Sequence, residues 1–188
     1  MQLYGSSPSP YVRRIRLVLA AQPYEFMTLN IFETTDRATL IRLNPTRKVP
    51  MLVDGDAVIY DSSVIYRYLA AKYGWVALTW QQENVLTLIN AVNDSLVELL
   101  LCQRSGFDTN EDRLFFNLQH ERIAAVLTQL EQMSWDEWNY VTMSLYALVD
   151  WAAFRGLVDL TPYPRLRETL VKHADQPAVQ QTDPRLAS

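Results

Sequence analysis

The sequence predicts an α/β domain followed by an all-α helical bundle. Three observations predict it. Short apolar runs alternate with helical repeats over residues 1–74, whereas residues 83–188 hold only helical repeats. Residues 75–82 read as a linker between them. The length of 188 residues accommodates one full domain or two small ones.

The elements follow in order. Gln2-Leu3-Tyr4 is a short strand stopped by Gly5-Ser6-Ser7-Pro8. Tyr11 to Ala21 reads as a helix that starts after Ser9-Pro10, a capping residue and then proline at the first helical position. Its apolar face is Val12, Ile15, Leu17, Val18 and Leu19, and Arg13, Arg14 and Arg16 are expected mostly on the outer face. Glu25 to Asn30 is a second strand, and Asp36 to Leu43 a short helix ended by Asn44-Pro45. Val49 to Val53 and Ala57 to Tyr60 flank the turn Asp54-Gly55-Asp56 and form a hairpin. Asp61 or Ser62 caps a helix that closes at Tyr73-Gly74. The order is β-α-β-α-β-β-α, a four-stranded mixed sheet with helices. Beyond residue 83, apolar repeats at Val85 to Leu100, Ile123 to Leu130, Leu145 to Ala152 and Leu166 to Val171 mark further helices.

Composition narrows the function. Hydrophobic residues make up 49% and charged residues 20%, which excludes a disordered chain. One cysteine, Cys102, excludes an intrachain disulfide and any zinc site that needs two thiolates. His120 and His173 are the only histidines and lie far apart, so no metal is expected. A net charge of −4 offers no footprint for nucleic acid or an anionic membrane. No run reaches about 18 uninterrupted apolar residues, so no membrane helix is expected. The N-terminus lacks the basic start and apolar core of a secretory signal, and the expected location is the cytoplasm.

Three short segments can carry chemistry. Ser9 stands at a helix N-terminus, where free N–H groups and the dipole stabilise an anion such as a thiolate. Taken alone, this motif is more often a plain helix cap. Val49-Pro50 at the start of a strand is either an ordinary trans proline or a cis bond that turns the Val49 backbone toward an extended ligand. Asp61-Ser62 is either a capping pair or a place for a ligand's carboxylate and ammonium. Lys48, with Arg47, is a surface charge or the partner of another carboxylate. No Ser-His-Asp pattern supports acyl transfer.

Together the segments Ser9-Pro10-Tyr11-Val12-Arg13-Arg14, Asn44-Pro45-Thr46-Arg47-Lys48-Val49-Pro50-Met51-Leu52 and Asp61-Ser62-Ser63-Val64-Ile65 resemble the glutathione S-transferase family in order and spacing. The likeness covers the N-terminal half. It continues more weakly through Gln119 to Leu127, Ser144 to Leu157 and Gln176 to Val179. The resemblance implies a thioredoxin-like domain followed by an all-helical one, with glutathione as co-substrate. It implies that Val49 pairs its backbone with the cysteinyl unit ahead of a cis-Pro50. Asp61 and Ser62 hold the γ-glutamyl end, and Lys48 reaches the glycine carboxylate. Ser9 is implied to be the catalytic serine, donating a hydrogen bond to the glutathione thiolate, with Ser6 and Ser7 as rivals. A small electrophile as second substrate, a role in detoxification and a homodimer also follow from the family. Two alternatives stand beside conjugation: a non-catalytic scaffold or regulatory binding protein, and a glutathione-dependent peroxidase or isomerase. One departure concerns the core helix. Ser144 is followed three residues later by Ala147 where many members have aspartate, and Thr142 is a second candidate cap.

Overall fold

Gln2–Gly5 forms β1, in which buried Leu3 and Gly5 alternate with half-buried Gln2 and Tyr4, the period of a strand. The structure is a computed structural model and describes residues 1–187. α1 (Pro10–Val18) begins behind Ser9 and tightens into a 3-10 turn at Leu19–Ala21, earlier than the regular helix expected to Ala21. β2 (Glu25–Thr28) and α2 (Thr34–Leu43) follow. β3 (Met51–Asp54) turns at Gly55 into β4 (Ala57–Tyr60). Ladder pairing starts at Met51 rather than Val49, because Pro50 has no N–H to donate. α3 (Ser62–Tyr73) ends on Gly74 at φ 67°, a left-handed value that favours a residue without Cβ.

The sheet order is β2-β1-β3-β4. β1 and β2 are parallel, and β3 is antiparallel to β1 and β4. The expected thioredoxin-like order βαβαββα is therefore the observed one, and among the described residues only helices follow it. Leu3, Val12, Ile15, Met51, Leu52, Ile65 and Leu69 are completely buried and make the core of this layer.

Two compact units divide the chain: Met1–Ala77 together with the segment from Asp175 onward, and Leu78–Ala174. This differs from the expected helical domain over 83–188 and linker over 75–82. Thr79 and Gln82 form a capping box, so α4 (Trp80–Arg104) already starts inside that stretch. At the other end, α8 (Pro177–Gln181) packs on α1, because its carbonyls accept hydrogen bonds from α1 arginines.

The second unit holds α4, α5 (Leu114–Glu131), α6 (Tyr140–Phe154) and α7 (Pro164–His173). α6 is buried along most of its length and is the central helix. Its cap is Asn139, whose Oδ1 accepts from the Val141 and Thr142 N–H groups at 3.0 and 3.2 Å. That corrects the expectation of a start at Ser144 or Thr142. Ser144 lies one turn inside the helix and donates its hydroxyl to the Tyr140 carbonyl at 2.7 Å. α4 is strongly apolar although no uninterrupted apolar run in it reaches about 18 residues. It is one helix, among the described residues, long and apolar enough to cross a membrane by length and composition. Leu86, Ile89, Val92, Leu96 and Leu99 are nonetheless buried, and α4 packs on α5 and α6.

Candidate functional site

Strand register brings the three sequence segments to one end of the sheet. Tyr4 pairs with Met51, and Met51 pairs with Tyr60. Gly5 therefore leaves β1 where Pro50 approaches β3 and where Asp61 follows β4. Neighbouring strands lie about 4.8 Å apart, so three adjacent strand ends span about 10 Å. Two helices, α1 and α3, begin at this edge, and each presents a positive dipole end there.

Ser9 is the cap of α1. Its Oγ accepts the Val12 N–H at a long 3.4 Å, and its own N–H donates to the Ser6 carbonyl at 3.0 Å. With the oxygen accepting from the helix, the hydroxyl hydrogen is directed to another acceptor. Ser6, Ser7 and Ser9 are all half-buried, in one turn.

The Val49-Pro50 peptide is cis. Val49 is half-buried and Pro50 buried, while Lys48 and Arg47 are exposed. Asn44, which the sequence marked only as a helix end, shapes this segment. It is 1% exposed. Its Nδ2 donates to the Lys48 carbonyl at 2.7 Å, and its Oδ1 accepts from the N–H and hydroxyl of Thr46 at 2.9 and 2.8 Å. The Tyr60 hydroxyl adds a bond to the Leu43 carbonyl at 3.1 Å.

Asp61 caps α3. One carboxylate oxygen accepts from Ser63 and Val64 N–H at 2.8 and 3.2 Å. It sits at φ 68° and Arg47 at φ 57°, so both edges of the site carry non-glycine residues in a sparsely populated region. Ser62 follows at the first position of α3. It is 1% exposed, and its Oγ accepts a hydrogen bond from Nη2 of Arg14. Arg14 and Arg13 are themselves 1% and 2% exposed, which corrects the expectation that the α1 arginines face solvent. Arg14 lies against Ser62 and the Tyr11 ring, and Arg13 is covered by α8. A helical repeat cannot reveal partners so distant in sequence.

Among the described residues, no three His, Cys, Asp or Glu side chains cluster as a metal site would require. A polar cleft of about 220 Å³ lies within the second unit, between residues 133–136 and α7. None of the expected site residues lines it. The sheet edge can therefore bind an extended peptide-like ligand through the backbone before β3 and hold anionic groups at two helix starts.

The family model for the N-terminal domain of glutathione S-transferase matches residues 3–80. Glutathione S-transferase D7 of Anopheles gambiae is 28% identical, over 93% of this chain and 86% of its own. Glutathione S-transferase 3 of Zea mays is 38% identical over 76 residues, a match that covers 39% of this chain and only 34% of that relative's length. Among solved structures, a glutathione S-transferase from Methylobacillus flagellatus with GSH bound superposes at TM-score 0.85, with 19% identity and 97% and 98% of the two chains covered. The holo structure of maleyl pyruvate isomerase, a bacterial zeta-class protein of the same kind, gives TM-score 0.76 with 22% identity, covering 100% and 98%. At these identities the structural likenesses show the fold.

Proposed function

We propose that the chain is a member of the glutathione S-transferase family, whose N-terminal-domain model matches residues 3–80, and that it binds glutathione along the edge formed by Ser9, Val49-Pro50 and Asp61 and transfers its sulfur to a small electrophile. The observation that carries this reading is the register Tyr4–Met51–Tyr60, which sets all three segments side by side. The Val49 backbone pairs with the cysteinyl unit. The start of α3, with the Asp61 carboxylate and the buried Ser62, receives the γ-glutamyl end. Lys48 is exposed and long enough to meet the glycine carboxylate.

Ser9 acts by donating its hydroxyl hydrogen to the thiolate at the positive end of α1, which lowers the thiol pKa. The thiol proton leaves to water. The sulfur lone pair then attacks the electrophilic carbon, and the leaving group departs with the bonding pair. Ser9 carries no sulfur and forms no bond to the thiolate, so it does not supply the nucleophile. The reactive sulfur therefore comes from the ligand.

Calorimetry with glutathione and turnover of an aryl halide by Ser9→Ala test the reading. Binding should be kept, while kcat falls about a hundredfold, the loss of one preorganised donor. The rising limb of the pH–rate profile should move to higher pH. Unchanged turnover would remove Ser9 from the reaction, and no binding at millimolar glutathione would favour a non-catalytic scaffold. Isomerisation is the second reading, favoured by the likeness to maleyl pyruvate isomerase. A maleyl acid turned over in preference to aryl halides or hydroperoxides would establish it. A homodimer in the cytoplasm, serving detoxification, completes the proposal, and sedimentation of the purified chain tests the dimer.

A further inference from the structure

Arg13 bonds to the site helix and to the far end of the chain at once. Its main-chain N–H donates to the Ser9 carbonyl at 2.9 Å, closing the first turn of α1. Its Nε donates to Oγ1 of Thr182 at 3.3 Å, and its Nη2 to the Val179 carbonyl at 3.2 Å. One turn on, Nη2 of Arg16 donates to the Gln181 carbonyl at 3.3 Å. Val179 and Thr182 are 3% and 4% exposed, so water does not compete freely for the Arg13 contacts.

A buried guanidinium keeps its place only while acceptors surround it. Removing one leaves a charge that must be solvated, which shifts the guanidinium and the backbone that carries it. That backbone is the first turn of α1. Val12, next to Arg13, gives its N–H to the Ser9 hydroxyl oxygen at 3.4 Å. A small rotation of this turn would change both bonds that orient Ser9.

We propose that the segment from Asp175 onward is a strap that fixes the first turn of α1, and that Arg13 is a positioning residue acting through it on the Ser9 hydroxyl. The inference rests on the glutathione reading. Ser9 meets the sulfur, and Arg13 sets only the direction from which it does so.

The test uses the full-length chain with Thr182→Val, Arg13→Gln and the double variant. Glutathione binding by the unaltered protein is measured first by calorimetry. The thiolate fraction of bound glutathione is then read from its ultraviolet absorbance across pH, beside kcat, KM and the melting temperature. Thr182→Val should lower kcat about five- to tenfold with KM for glutathione nearly unchanged, less than the full loss of one hydrogen bond to a charged group because its effect on Ser9 is indirect. The thiolate titration should move to higher pH. The double variant should lose no more than Arg13→Gln alone. If Arg13→Gln does not fold, Thr182→Val decides by itself. A lower melting temperature with unchanged kcat and thiolate titration would make the strap merely structural and overturn the proposal. No glutathione binding by the unaltered protein would overturn the glutathione reading and the strap's role with it.

Discussion

Asn44 holds Lys48: its side-chain amide donates to the Lys48 carbonyl at 2.7 Å, spanning the loop that delivers Val49 and Pro50 to the sheet edge. Replacement by alanine strands the Lys48 carbonyl and the Thr46 N–H in a buried place, at a cost of about 1–3 kcal/mol. Asn44→Asp separates the two halves of this job, since it keeps the acceptor for Thr46 and loses the donor for Lys48. Urea unfolding should show Asn44→Ala as the less stable of the two. Both should raise KM for glutathione more than they change kcat. An Asn44→Asp variant with unaltered KM would show that the loop holds its shape without this bond.

Gly5 is required by Val12. A Cβ at Gly5 would stand 2.5 and 2.7 Å from the two methyl groups of Val12, closer than carbon atoms approach. Val12 is completely buried in the first turn of α1, so it has no free space into which to retreat. Gly5→Ala should destabilise the protein by about 1–3 kcal/mol, as overpacking does. The added Val12→Ala should restore part of that loss, because it opens the space the new methyl needs. Thermal melts of the two single variants and the double would show the coupling, and additive losses would refute it.

How much of this was legible in the sequence depends on how far apart the partners are. The β-α-β-α-β-β-α order, the Ser9 cap and the hairpin at Gly55 are local patterns, and each appears within a residue or two of its expected place. The site segments were legible because their residue types are distinctive. Their meeting required the register of β1, β3 and β4, which comes from long-range pairing. Arg13 and Arg14 illustrate the limit. Helical periodicity assigns them to the outer face, yet α8 covers Arg13 from 166 residues away and Ser62 meets Arg14 from 48 away. The cap of α6 is obscured in the sequence for another reason. Asn139 sits just ahead of an apolar run and carries the stronger capping side chain, but Thr142 and Ser144 offer rival capping hydroxyls further on.

His173 should make stability fall on acidification. It is 5% exposed, and its ring lies 4.2 Å from that of Trp138. Burial first, and the neighbouring Lys172 charge second, hold its pKa below the ordinary 6.5, against a smaller opposing effect of the Trp135 backbone. The folded protein thus keeps His173 neutral where the unfolded chain takes up a proton. Stability is complete above 6.5 and declines as pH falls from there through the lowered value. The slope from this group is at most about 1.4 kcal/mol per pH unit. Urea unfolding from about pH 8 to about pH 5 should show a decline that His173→Gln flattens. A variant with the same slope would assign the decline to other groups.

Glu131 replaces the missing cap of α7. The residue at the helix start, Tyr163, makes no side-chain capping bond. Instead Oε1 of Glu131, at the end of α5, accepts the Arg165 N–H at 2.8 Å, and Oε2 accepts that of Leu166 at 3.1 Å. A carboxylate at a helix N-terminus satisfies free donors and meets the positive dipole end, so the contact ties α5 to α7. Glu131→Gln retains one acceptor oxygen and should cost about 1 kcal/mol, and Glu131→Ala about 2 kcal/mol. The loss should be local first. Hydrogen exchange should speed up at Arg165 and Leu166 in both variants before the amides of α6 respond. Equal acceleration throughout the unit would mean that Glu131 supports the whole bundle rather than the start of α7.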